Sequence, residues 1–207
     1  MRKRIALSVG GGLVVVASLI VASMAGVIGR EAGTAIARAT VGETATDVLA
    51  RPWEAFEVAG LTISSPTPFV RYELNFPSDA RTVIEQGIEA IENFRADAGP
   101  VQVLLTQFIV KPHIQPSLEG AADGAVSRVS KLPAVTDLRH HKTDVRVSGY
   151  PAIRVSASYT EDDRPFRAEM LFLVAGQRVW QISTTFTALE PSRTVAERLL
   201  ASVRFDQ

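Results

Sequence analysis

Ile153-Arg154-Val155-Ser156-Ala157-Ser158-Tyr159 alternates apolar and polar side chains without a break. That period of two is the signature of a strand with one buried and one polar face. The chain then turns at Glu161 to Pro165, returns over Phe166 to Ala175, turns at Ala175-Gly176-Gln177 and returns again over Arg178 to Phe186. Strands joined by such short turns run antiparallel to their neighbours, so residues 153–186 predict consecutive hairpins and a mainly antiparallel sheet.

Beyond these hairpins, Pro191 starts a final helix in which Thr194 and Glu197 fit a capping box and Val195, Leu199 and Leu200 face inward. Val203-Arg204-Phe205 is a closing extended tail. Upstream, two extended runs, Val58 to Ser64 and Phe69 to Phe76, flank Ser65-Pro66-Thr67-Pro68. Ser78 or Asp79 can cap a helix in which Val83, Ile84, Ile88, Ile91 and Phe94 recur at helical spacing up to Gly99-Pro100. Val101 to Val110, apolar on both sides, reads as a central strand. After a loop over Lys111 to Pro116, Ser117 can cap a second helix carrying Leu118, Ala122, Ala125, Val126, Val129 and Leu132 before Pro133. Helices between and after the strands must cover the sheet, giving an α+β sandwich over residues 58–207.

Ile5 to Gly29 carries no charge across 25 positions. As a helix it covers about 37 Å, enough for a bilayer core. It is read as a transmembrane anchor over residues 1–29. The alternative is a signal peptide cleaved after Ala25, although the apolar run exceeds the usual length of such a segment. Arg2, Lys3 and Arg4 precede the span, and Arg30 and Arg38 follow it. That balance favours an inner-membrane, single-pass protein with its body on the periplasmic or extracytoplasmic side. Ser18, Ala22 and Gly26 form a small-residue row of the kind found where spans meet, and equally common in any membrane helix. Residues 30–57, rich in Ala, Thr and Gly, read as a stalk, with Trp53 and Phe56 the first side chains able to dock on the body.

The chain's 22 basic residues less Arg2, Lys3 and Arg4 face 22 acidic ones, so residues 30–207 carry a net charge of −3. An acidic body argues against nucleic-acid binding. The absence of cysteine excludes disulfides, thiolate metal sites, thiol nucleophiles and a lipid-modified cysteine at the amino end. Arg outnumbers Lys 18 to 4, the usage of a GC-rich bacterial genome.

His140 and His141, with Asp144, Asp137 and His113, are the cluster best suited to a metal. Adjacent histidines on a strand point to opposite faces, however, and a solvated strand with a turn at Lys142-Thr143-Asp144 is the simpler reading. Glu161-Asp162-Asp163 reads as a charged hairpin tip rather than a calcium cage, which needs more ligands. No Gly-x-Ser-x-Gly elbow occurs. Gly10-Gly11-Gly12 lies in the apolar span without a phosphate-loop lysine. Glu85, Glu89 and Glu92 fall at helical spacing on a solvated face. Tyr159, Phe172, Trp180 and Phe186 read as core before they read as an apolar pocket. No catalytic or cofactor-binding residue is assigned, no cofactor is expected, and a metal site is not expected.

The order of elements resembles the PsbP-like and DcrB-like group of α/β/α sandwich proteins. The residues carrying the resemblance are Phe76-Pro77-Ser78-Asp79 before the first helix and Ser148-Gly149-Tyr150-Pro151-Ala152 before a long strand. A charged turn follows, then a strand ending at Gly176, the strand Arg178 to Phe186, and a terminal helix closing on Ser202-Val203-Arg204-Phe205. The chain departs from the pattern at Thr62-Ile63-Ser64-Ser65-Pro66, which has no neighbouring Trp, and in lacking a lipoprotein cysteine. The resemblance implies a non-catalytic binding or accessory role outside the cytoplasm, and it transfers no site residue.

Two functions follow as expectations. The first is a membrane-anchored extracytoplasmic binding or assembly-accessory domain, not an enzyme, with a protein partner in the envelope. The second is a small-molecule or metal-binding sensor or enzyme using His140, His141 or an apolar pocket.

Overall fold

The hairpins expected over residues 153–186 form in the computed structural model of the chain, which describes residues 43–73 and 84–205. The anchor at 5–29, its small-residue row, Gly10-Gly11-Gly12, the first part of the stalk and the Phe76 to Val83 helix start lie outside the described residues. Helix α1 covers Ala45–Ala50, followed by strands β1 Glu54–Val58, β2 Leu61–Ser65 and β3 Val70–Arg71. After a helical turn at 84–87 come β4 Ile88–Ala98, β5 Val101–Val110, helix α2 Leu118–Val129 and β6 Val135–Val147. Then follow β7 Tyr150–Glu161, β8 Arg164–Ala175, β9 Arg178–Thr187, helix α3 Glu190–Ala201 and β10 Arg204–Phe205.

Seven strands pair in the order β3-β4-β5-β9-β8-β7-β6, every pair antiparallel. A second, three-stranded sheet has the order β1-β2-β10. Two apolar clusters lie on opposite faces of the large sheet. One, beneath α2, holds Phe172, Val155, Ala157 and Tyr159. The other, beneath α3 and the small sheet, holds Trp180, Phe186, Leu171, Leu173 and Leu199. Ser117 caps α2 as expected, its hydroxyl accepting from the Gly120 amide at 3.1 Å. The inward set Val195, Leu199 and Leu200 of α3 is buried.

Several expectations need correction. The helix expected to run to Phe94 becomes strand β4 from Ile88 onward, paired with β5 from Ala98↔Val101 up to Ile91↔Phe108. The apolar set satisfied a helical period, but the adjacent strand β5 offers a full row of backbone partners, and Gly99-Pro100 makes the hairpin between them. Such tertiary pairing overrides local pattern. Gly99 has φ +58°, and a Cβ there would lie 2.5 Å from Val48 Cγ2, so only glycine lets α1 approach this turn. Glu89 and Glu92 are therefore strand residues, and Glu92 pairs with Arg71 at 3.2 Å.

The run expected as one strand from Val58 to Ser64 is broken by a two-residue turn at Ala59-Gly60, both with positive φ. The Ala59 carbonyl accepts from Trp180 Nε1 and Gln107 Nε2, each at 2.8 Å, which fastens this turn to the large sheet. Strand β6 passes straight through Lys142-Thr143-Asp144, and the turn falls instead at Ser148-Gly149. At the start of α3 no capping box forms. Thr194 Oγ1 donates to the Glu190 carbonyl, and Glu197 pairs with Arg193 at 2.8 Å.

The packed body also begins earlier than Val58. Thr44 and Asp47 form a capping box on α1, and Ala45 and Val48 are buried in the cluster beneath α3. Trp53 Nε1 donates to the Val48 carbonyl at 3.1 Å, and the Arg198 guanidinium lies 4.2 Å from the Trp53 ring centroid. Small side chains suffice here because α1 seats against a glycine turn.

Candidate functional site

The register of β6, β7 and β8 sets side chains in rows across the sheet. Arg139 lies opposite Ser158, and Ser158 opposite Arg167, so two arginines flank one serine. The next row is His141, Ser156 and Glu169. Both rows face the α3 side, yet the apolar cluster beneath α3 and the small sheet takes in these strands only further along, at Val147, Ala152, Leu171 and Leu173 with Val145 and Ala175 at its margin. A groove of about 290 Å³ results, lined by these six side chains with His140 and Ala157.

Its charges are unevenly spent. Glu169 is buried and accepts from Arg154 Nε at 3.0 Å and Ser156 Oγ at 2.7 Å. On the α3 wall, Glu197 takes Arg193, and Arg154 Nη2 lies 4.0 Å from the same carboxylate. The side chains of Arg139 and Arg167 make no ion pair or hydrogen bond among the described residues. The groove therefore presents two uncompensated guanidinium groups, a free Ser158 hydroxyl and the His141 ring on a body of net negative charge.

No family model matches the chain, and no curated protein matches it. Solved structures do. Cyanobacterial PsbP from Synechocystis sp. PCC 6803 superposes with a TM-score of 0.51 at 7% identity, over 74% of this chain and 92% of that one. The body has a PsbP-like fold. LpqN of Mycobacterium tuberculosis, described as involved in cell envelope biogenesis, gives a TM-score of 0.39 at 13% identity, over 81% and 99% of the two chains. A Bacteroides thetaiotaomicron protein gives 0.39 at 13% identity over 72% of this chain, and the match spans 46% of that protein.

Within this PsbP-like body, the residues singled out in the sequence disperse. His140 and His141 point to opposite faces of β6, as alternation requires. Asp144 lies on the His140 side, on the α2 face, while Asp137 sits at the irregularity between Thr136 and Arg139 with φ +54°. Among the described residues no three metal-binding side chains gather. Asp162 and Asp163 form a two-residue turn of positive φ. Burial and the adjacent Asp162 push the Glu161 carboxyl above its usual range. The aromatic set splits into Tyr159 and Phe172 on the α2 face and Trp180 and Phe186 on the other, so it lines no common pocket.

The groove residues Arg139, Ser158, Arg167 and Glu169 were not singled out by sequence. One signal was available. Phe166-Arg167-Ala168-Glu169-Met170 alternates as β7 does, which already puts Arg167 and Glu169 on a polar face.

Proposed function

We propose that this chain is a membrane-anchored, non-catalytic binding or assembly-accessory domain, held by residues 5–29 with its body on the extracytoplasmic side. Supporting the tether are the 25 uncharged positions and the basic residues ahead of them. The observation that carries the binding role is the pair of unspent arginines flanking Ser158 in an open groove, on strands whose neighbouring stretches are packed. Unpaired charge at a concave surface has a use in recognition that it lacks in folding. The sensor or enzyme alternative loses support, because its histidines and its aromatic residues sit on opposite sides of the sheet.

Fractionation with protease accessibility on intact cells tests the tether and the side together. The full-length protein should sediment with membranes and be digested from outside; digestion only after lysis overturns the reading. A tagged full-length chain extracted in mild detergent should carry a partner that is lost in an Arg139→Ala, Arg167→Ala double variant. A monodisperse chain without a partner counts against the binding role.

A further inference from the structure

We infer that the Arg139–Ser158–Arg167 row binds a phosphate group, an inference that rests on the binding role proposed above and names its ligand. Adjacent strands lie about 4.8 Å apart, so the two arginine backbones stand about 10 Å from one another with Ser158 between them. Two long, forked donors, one from each side of the serine, line the same groove with it and can reach a group held between them. A planar carboxylate offers two oxygens and one charge, which a single guanidinium fork already satisfies. A phosphate monoester offers three equivalent oxygens and close to two negative charges, matching two forks and a hydroxyl donor.

The neighbouring row sets the limits of the site. Glu169 would repel an anion, but Arg154 and Ser156 already hold its carboxylate, and the Ser156 proton is committed to it. Ser158, with no such commitment, is the hydroxyl left to donate. His141, one row along, brings a ring N–H to the same face. The phosphate can belong to a soluble ester or to a lipid headgroup, and a body on a membrane tether can meet either.

The chain's three histidines give the test its internal control, because His141 faces the groove while His140 faces α2 and His113 lies in the loop after β5. Full-length protein in neutral detergent, with ring-labelled histidine, is titrated with inorganic phosphate at fixed pH and ionic strength, using acetate as the comparison anion. The expected result is a saturable shift of the His141 signal with phosphate, small or absent for His140 and His113, and weakened about tenfold or more in Arg139→Ala or Arg167→Ala. Ser158→Ala should weaken it less. An unchanged amide spectrum shows that each variant is folded.

A second arm places the chain in phosphatidylcholine nanodiscs with or without phosphatidic acid. A His141 shift only with phosphatidic acid names a lipid headgroup as the source, and a shift only with free phosphate names a soluble ester. Silence in both arms, an equal response to acetate, or equal shifts at all three histidines overturns the inference. If phosphate fails while the partner still co-purifies through Arg139 and Arg167, the ligand class is wrong and the binding role stands. Phosphate binding without any partner leaves the reverse.

Discussion

Ser158 and Tyr159 are consecutive on β7, yet one borders an open groove and the other is shut beneath α2. The same strands thus carry two economies. On the α2 face the inner side chains of β7 and β8 are apolar, and charge is confined to the edge strand β6, where Lys142 pairs with Glu119 and Asp123 of α2. On the α3 face of β6 to β8, Arg139 and Arg167 line an open groove beside the buried Glu169, which Arg154 holds from the α3 side. A residue's face is set by the parity of its position, and what covers that stretch of strand decides whether it is packed or open.

That contrast predicts very different costs for substitutions on neighbouring strands. The largest effect belongs to the closed face. Phe172→Ala empties a fully buried position between β7 and β9 and should lower stability by about 3–5 kcal/mol in denaturant unfolding. A loss below 1 kcal/mol would mean that the α2 face is not a packed core. Next is the glutamate that joins structure to groove. Glu169→Ala leaves Ser156 and the partly exposed Arg154 without their acceptor, for a loss of about 1–2 kcal/mol. Glu169→Gln, which still accepts from Ser156, should recover part of it.

Gln102 on β5 carries the reverse sign. It is 4% exposed, its neighbours Val101 and Val103 face α3, and both of its side-chain amide atoms lack a partner. A buried polar group without a hydrogen bond is a net cost, so Gln102→Leu should raise stability by about 1 kcal/mol. A thermal melt that moves down would show that this amide is being satisfied.

Tyr159→Phe separates the faces by pH. Burial foremost, with help from Glu161, pushes the Tyr159 phenol well above its ordinary value near 10, and a hydrogen bond with Thr185 opposes the shift in part. The unfolded chain ionises this phenol first, so stability is intact below about pH 10 and falls as pH rises beyond it. The phenylalanine variant should lose about 1 kcal/mol at neutral pH with the Thr185 contact, and show a shallower alkaline decline. Parallel pH curves for the two proteins would contradict the burial.

The alternation of β7 was legible because its inner residues are apolar without exception and its outer ones polar, a pattern that depends on no partner. The hairpins to β8 and β9 followed from their turns. Strand β4 was illegible for the opposite reason. Ile84, Ile88, Ile91 and Phe94 satisfy a helical period; Ile84 keeps a helical turn, and from Ile88 onward the choice is made by β5, whose edge the chain completes. The groove falls between these cases. The polar face of Arg154, Ser156 and Ser158 could be read, but its meeting with Arg139 depends on an irregularity in β6 after Thr136 that shifts the register. The paired histidines drew attention by residue type, whereas the strand pairing brings together the arginines on either side of a serine.

The smallest stability effect should fall on those arginines, and its smallness is the point. Arg139 is exposed, Arg167 is partly so, and neither has an acceptor among the described residues. Removing a group that holds nothing costs the fold little, so Arg139→Ala and Arg167→Ala should each stay within about 0.5 kcal/mol of the parent. If they are silent, as Phe172 and Glu169 are not, the arginines are surplus to folding and their unspent charge must be explained by what the groove meets. A slight gain in the double variant would strengthen this, since two like charges on one row repel. A loss above 2 kcal/mol in either would show that these side chains pack as structure. The division of labour between the faces would then fail at its central row.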